Sequence, residues 1–354
     1  MLLGIDIGTT GCKSVFYDSA GNAVSSGYRS YEILSPRDGW AEIDADDWWN
    51  GVCAATKEAL AQLGGGSRRL RGICVSCANA IVPVDSDGRP LCRAVMQVDQ
   101  RSLGQAECAA RIIPQETFLE ETGNFVRTGG FSPSVILWFK DNQRELYDSA
   151  HKFLAPSGFV VQKMTGNFTI DYSRASTAAL MDIKKLRWSA AVCGPLGIDA
   201  RKLPELFNTE AEAGLLKPDA AKAMGLDAGV PVAVGLMDSA AAMLGAGCVS
   251  NNDASLVIGT VSRLCYPMPE SNFSQTALNA YFIKDAPYMA MAPTNGGGVS
   301  YKWFADSFGE REKSLAETLG ISYYELLDRG ASLIEAGCGG LLYLPYILGE
   351  RSPI

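Results

Sequence analysis

Two short stretches carry residue types suited to phosphate chemistry. Asp6-Ile7-Gly8-Thr9-Thr10 places a carboxylate just ahead of a turn of small and hydroxyl-bearing residues, and Lys13 supplies a cation nearby. A turn of this kind exposes backbone N–H groups and hydroxyls that can hold phosphate oxygens. Asp6, which only accepts hydrogen bonds when ionised, stands where it could hold Mg2+ or its waters. The second stretch is Val234-Gly235-Leu236-Met237-Asp238-Ser239-Ala240, an apolar strand breaking into a helix whose first turn carries a carboxylate. Asp238 could serve there as a general base, because α/β sheets gather ligands at the carboxyl ends of their strands. It could equally just cap the helix and favour its dipole. Neither Gly-x-x-x-x-Gly-Lys-Ser/Thr nor Gly-x-Gly-x-x-Gly occurs, so any nucleotide is held by another kind of cradle.

Other chemistries find little support. Cys74 and Cys77 have redox or zinc-ligand spacing, but no second pair follows and His151 is the single histidine. Four zinc ligands are hard to assemble from that set, and the pair reads as a strand end running into a loop. A Ser-His-Asp hydrolase would depend wholly on His151, which lies in the polar segment Asp148-Ser149-Ala150-His151-Lys152.

The elements that must position the two stretches alternate between strand and helix patterns, which favours an α/β fold. Strands are predicted over residues 2–7, 12–17 and 23–28, separated by turns at 8–11 and 18–22. A helix follows over 46–63, capped by Asp44, with Trp49, Val52, Thr56, Leu60 and Leu63 at helical spacing. A Gly-rich loop at 64–67 leads to strands at 70–75 and 81–84. Further helices are expected at 102–121, 132–147, 157–165 and 217–224, then a strand at 230–234 and an Ala-rich helix from Asp238. Next comes a second hairpin, 255–258 and 261–266, turning at Gly259-Thr260. It repeats the first in kind, as two similar domains facing one another would.

The chain has 354 residues, enough for two domains with a core in each. Its 31 basic and 39 acidic side chains leave a net charge of −8, without the positive face that nucleic-acid binding needs. No apolar run approaches the roughly 20 residues of a membrane span. No basic region with an apolar core follows Met1, so a cytoplasmic protein is expected. The 10 cysteines, mostly single within apolar runs, are expected as free thiols.

Taken together, these residues resemble the FGGY carbohydrate kinases, and within them the xylulokinase-like branch. The resemblance is carried by Gly4-Ile5-Asp6-Ile7-Gly8-Thr9-Thr10-Gly11-Cys12-Lys13, Trp40-Ala41-Glu42 with Trp48-Trp49, Gly72-Ile73-Cys74-Val75-Ser76 and Asp238-Ser239-Ala240-Ala241. Thr122-Gly123-Asn124, Leu137-Trp138, Met164-Thr165-Gly166, Ile258-Gly259-Thr260 and Leu344-Pro345-Tyr346-Ile347-Leu348-Gly349-Glu350-Arg351-Ser352-Pro353 follow in the family's order. It implies an α/β fold of the two-domain actin, Hsp70 and sugar-kinase type, with ribonuclease-H-like mixed sheets closing on ATP and sugar. Residues 1–247 would form the domain on the sugar and phosphate side, and 248–354 the start of the nucleotide-side domain. By the resemblance, Gly8, Thr9 and Thr10, with Lys13, and Gly259 and Thr260 flank the phosphates, Asp6 holds Mg2+ through water and Asp238 is the base.

Two departures from the family pattern carry expectations of their own. After the 70–75 strand stands Cys77-Ala78-Asn79-Ala80, and a Trp-Asn-Asp-x-Arg-like segment appears as Gln97-Val98-Asp99-Gln100-Arg101 without its Trp. Asn79, Asp99 and Arg101 are therefore the expected sugar contacts, together with Asp238, and the sugar need not be D-xylulose. The chain also stops at Ile354, before the family's adenosine-clasping motif, which leads us to expect an incomplete C-terminal domain in a fragment of a longer product. The expected reaction is ATP-dependent phosphorylation of a ketopentose such as xylulose, with a polyol or an aldonate such as gluconate as alternatives. Readings from other classes are a nucleotide-gated interaction protein of the actin and Hsp70 type, and an inactive sugar-binding remnant. The partners expected are a small sugar and a second copy in a homodimer, with no nucleic acid and no membrane.

Overall fold

A computed structural model of the chain describes residues 1–64, 70–259, 262–273, 276–347 and 349. Thr260, residues 65–67 of the Gly-rich loop, and residues 348 and 350–353 of the closing motif lie outside the described residues.

Burial along the first strand, Leu2–Ile7, alternates as a half-buried strand must: Leu3, Ile5 and Ile7 are buried while Asp6 is exposed. A short turn joins it antiparallel to Gly11–Tyr17, which pairs in the same way with Ala23–Ser30. On its other side Leu2–Ile7 pairs parallel with Gly72–Cys77. Parallel neighbours need a crossover, and this one carries the helix Ala45–Ala61. Pro231–Ala233 and Leu236–Met237 both add parallel to Gly72–Cys77, and Glu212–Leu215 closes the edge antiparallel. Three antiparallel strands followed by parallel ones make the expected ribonuclease-H-like mixed sheet.

Asp44 caps the first helix through its side chain, which accepts the Asp46 N–H at 3.0 Å. The buried face is Trp48, Val52, Ala55, Thr56 and Ala59, whereas the sequence pattern centred the stripe on Trp49, which is half-buried. Trp48 wins the interior because it packs edge-on against Phe159, with ring centroids 6.2 Å apart. Two predicted helices are each broken in two. Residues 102–121 divide into Leu103–Ile112 and Gln115–Thr122 at Pro114, which disfavours helical geometry at Ile113. Residues 132–147 divide into Pro133–Asn142 and Arg144–Ser149 at Gln143, where ψ is 59°.

A second, wholly antiparallel sheet runs in the order Ser255–Ile258, Ser262–Met268, Ala286–Thr294, Leu278–Ile283. The helix Asp238–Gly245 belongs to both halves. The strand before it lies in the first sheet, yet its Ala240 and Met243 share a core with Cys265, Phe282, Met289 and Met291 of the second. A buried amide pair fastens the halves further: Asn124 Nδ2 donates to the Asn279 carbonyl at 2.6 Å, and the Asn279 N–H donates to Asn124 Oδ1 at 3.1 Å. Among the described residues no helix is long and apolar enough to cross a membrane.

Candidate active site

Both hairpin turns and the start of the Asp238 helix open onto one cavity of about 620 Å3, lined among others by Thr9, Asn79, Gln97, Arg174, Asp238, Gly259 and Arg263. The first turn is braced from behind. Gly8 N–H donates to the Gly11 carbonyl at 2.9 Å, and the Tyr31 hydroxyl reaches the carbonyls of Gly8 at 2.5 Å and Gly11 at 3.0 Å. Burial pushes the Tyr31 phenol far above its ordinary range, so it remains a donor. With the carbonyls engaged, the amides of Thr9 and Thr10 have no acceptor among the described residues. That leaves donors and hydroxyls at a turn, the chemistry an anion asks for. Gln97 Nε2 lies 3.4 Å from Thr9 Oγ1.

The second turn repeats this placement from the other sheet. Ile258 pairs with Ser262 across it, and the Gly259 carbonyl accepts the N–H of Gly298 at 2.6 Å. Gly298 opens the helix Gly298–Phe308, so the segment Asn295-Gly296-Gly297-Gly298 stands beside the second hairpin.

Asp238 is delivered by a close backbone crossing. Gly235 has φ +98°, and a Cβ there would lie 2.0 Å from the Val75 carbonyl oxygen, so glycine alone lets the chain pass the central strand. The next two residues, Leu236 and Met237, pair with Ser76 and Cys77. Asp238 then sits half-buried in the first helical turn, at the carboxyl end of the sheet. Its Oδ1 accepts from the Ser239 N–H at 2.7 Å and the Ser239 hydroxyl at 3.1 Å, and lies 3.8 Å from Nη2 of Arg174. Arg263 donates to the Ser239 hydroxyl.

Asp6, like Gly8, Thr10 and Lys13, is not among the residues lining the cavity; it stands beside it, in register with Ser76 and Lys13 on its two neighbouring strands. Although the residue is exposed, the protein around its carboxyl partly desolvates it and raises it above the usual range; the Ser76 hydroxyl, donating at 2.7 Å, pulls it down, the charge of Asp238 pushes it up and Lys13 pulls it down. Asp6 and Asp238 are two acidic groups close enough to feel each other's charge, and carboxylate oxygens are the donors Mg2+ takes.

The expected sugar contacts separate. Asn79 lines the cavity, its Oδ1 accepting the Phe131 N–H at 2.9 Å. Asp99 and Arg101 do not line it. Asp99 is fully buried and spends its oxygens on the Ala41 N–H, at 2.6 Å, and on Arg101. Arg101 also reaches Glu42 at 2.8 Å and lies over the Trp40 ring, 3.6 Å from its centroid.

Arg174 and Arg263 were not read from the sequence. Arg174 is three residues after Asp171, which caps the short helix Tyr172–Ser176 by accepting the Arg174 N–H at 2.8 Å. Asp-x-x-Arg at a strand end is the signal that could have found it. Elsewhere, His151 stands edge-on to Phe168, and Cys77 donates to Ser157 at 3.2 Å. No group of three or more metal-ligating side chains occurs among the described residues.

Residues 1–245 match the FGGY family of carbohydrate kinases, N-terminal domain. The chain belongs to this family of carbohydrate kinases. It is 27% identical over 357 residues to the gluconokinase of Bacillus subtilis, spanning 100% of this chain and 69% of that protein. Against the xylulose kinase of Lactococcus lactis it is 29% identical over 355 residues, spanning 99% and 68%. The solved xylulose kinase of Rhodospirillum rubrum superposes with a TM-score of 0.89 at 25% identity, over 99% of this chain and 70% of that one. The FGGY kinase thus has the two-sheet sugar-kinase architecture, and kinases of this family use ATP.

Proposed function

We propose that this FGGY kinase transfers the γ-phosphoryl group of ATP to a hydroxyl of a small sugar held in the cavity, with Asp238 as general base. The observation that carries the reading is the convergence of Thr9, Gly259 and Asp238, from three separate turns, on that cavity. Phosphoryl transfer asks chiefly for alignment and charge neutralisation. Thr9 and Thr10, with Lys13, and Gly259 flank the phosphates. Asp238 orients the acceptor hydroxyl and takes its proton as the new O–P bond forms, and the bond to the bridging oxygen breaks with its electron pair leaving on ADP. Asp6 would hold Mg2+, through its waters. Bound there, the cation would neutralise phosphate charge.

Asn79 is the proposed sugar contact from the first half, whereas Asp99 and Arg101 act by fixing the segment that presents Gln97. Residues 1–247 form the lobe on the sugar and phosphate side and 248–354 belong to the nucleotide side, with the helix Asp238–Gly245 shared between them. The names of the relatives make a ketopentose and an aldonate the acceptors to assay first. Coupled ADP release from the purified protein, with MgATP and D-xylulose, D-gluconate, glycerol or no sugar, tests the reading. At least one sugar is expected to raise ADP release well above the sugar-free rate, and chelation of Mg2+ to abolish the increase. A rate indifferent to every sugar would favour a nucleotide-driven switch and refute the proposal.

A further inference from the structure

Asp238 is gripped on one side only. Its Oδ1 carries the contacts to the Ser239 N–H and hydroxyl and faces Nη2 of Arg174 at 3.8 Å, while Oδ2 receives no hydrogen bond among the described residues. Arg174 is itself held rigidly. Its side chain is 3% exposed, Nη2 donates to the carbonyl of Cys77, and its backbone N–H is fixed by the fully buried Asp171. The same Asp171 accepts the hydroxyl of Ser173, and that hydroxyl accepts the N–H of Met237 at 2.9 Å, the residue just before Asp238. Nε of Arg174 is buried and has no hydrogen-bond partner among the described residues. An unsatisfied buried polar group costs stability.

Resting on the reading of Asp238 as the base, we propose that Arg174 is a positioning residue that pins Oδ1 toward the protein and thereby turns Oδ2 toward the acceptor hydroxyl. Arg263 supports the same orientation from the second sheet through the Ser239 hydroxyl. The other charged group that faces Asp238 is Asp6, whose repulsion also favours a carboxylate held from the opposite side. The contact between Arg174 and Asp238 is a charge contact beyond hydrogen-bond length, so it needs a cation in that place more than a particular fork of donors.

The test is a double-mutant cycle on the purified protein with MgATP and whichever of D-xylulose, D-gluconate or glycerol it turns over. Arg174→Met is expected to lower kcat by about 30- to 100-fold, as misplacement by about an ångström does, with both KM values within about threefold. Arg174→Lys is expected to restore most of the loss. In an Asp238→Asn background, Arg174→Met is expected to cost nothing further, because there is no base left to position. A loss of equal size in both backgrounds, or none in either, would overturn the proposal. Should Arg174→Met fail to fold, failure of Arg174→Lys together with an unchanged kcat in Ser239→Ala would overturn it as well. Near-native turnover by Asp238→Asn alone would instead sink the base assignment on which it rests, a result separable from the others.

Discussion

Replacing Arg101 with methionine separates two roles that one motif could have. If Arg101 touches sugar, the substitution raises the KM for sugar. If it is a structural counter-ion, the substitution destabilises the fold and leaves that KM alone. Arg101 makes three side-chain contacts to Asp99, at 2.9, 3.0 and 2.8 Å, and one to Glu42 at 2.8 Å, in a setting where the side chains of Asp99 and Arg101 are 0% and 3% exposed. Methionine fills much of the volume but strands the Asp99 charge, which then keeps only the backbone N–H groups of Ala41 and Arg101. Stranding a buried charge costs about 3–5 kcal/mol. At 2–4 °C per kcal/mol, a scale for chains of intermediate size, that is a fall in Tm of about 6–20 °C. Thermal unfolding followed by circular dichroism reads the loss, and steady-state kinetics below the transition read the KM. A variant that melts with the wild type while its sugar KM rises tenfold would refute the structural role and return Arg101 to the sugar.

Asp6 carries a pH signature. Its folded carboxyl is raised above the ordinary 3.8, so above that range the folded state holds a charge that partial desolvation disfavours, and stability rises, by an amount that solvent screening keeps small, as pH falls through the raised value. Asp6→Asn is accordingly expected to raise Tm at neutral pH in Mg2+-free buffer, with the gain fading on acidification; a gain that does not change with pH would contradict this. The cysteines make a separate check. All ten are free, and Cys108 and Cys338 are the exposed ones. Burial pushes the Cys12, Cys53, Cys74, Cys193 and Cys265 thiols up to about 11 and that of Cys92 to about 12. Thiol labelling of the native protein near pH 8, read by mass spectrometry, is expected to mark Cys108 and Cys338 first. Rapid labelling of Cys12 or Cys265 would mean that the sheets open.

The parts of the fold with a local code were legible. Alternation and small-residue turns marked the two hairpins, and Asp44 ahead of an amphipathic run marked the first long helix. Packing decided what periodicity left open, as when Trp48 took the interior place the pattern had assigned to Trp49. The site divided in the same way. Asp6, Thr9, Asn79, Gly259 and Asp238 stand at strand ends and turns, where local sequence speaks. Arg101 and Arg174 are both arginines within reach of a carboxylate, and only the tertiary surroundings put one in the interior and the other on the cavity. Gly235 is similar, since its need for glycine comes from the Val75 carbonyl of a distant strand.

Substituting Asp238 tests the proton transfer itself. Single-turnover phosphoryl transfer by Asp238→Asn, with sugar binding followed in parallel by calorimetry, is expected to slow by about 10²- to 10⁴-fold while sugar still binds. Transfer at a near-native rate in that variant would show that the carboxylate at this strand end takes no proton.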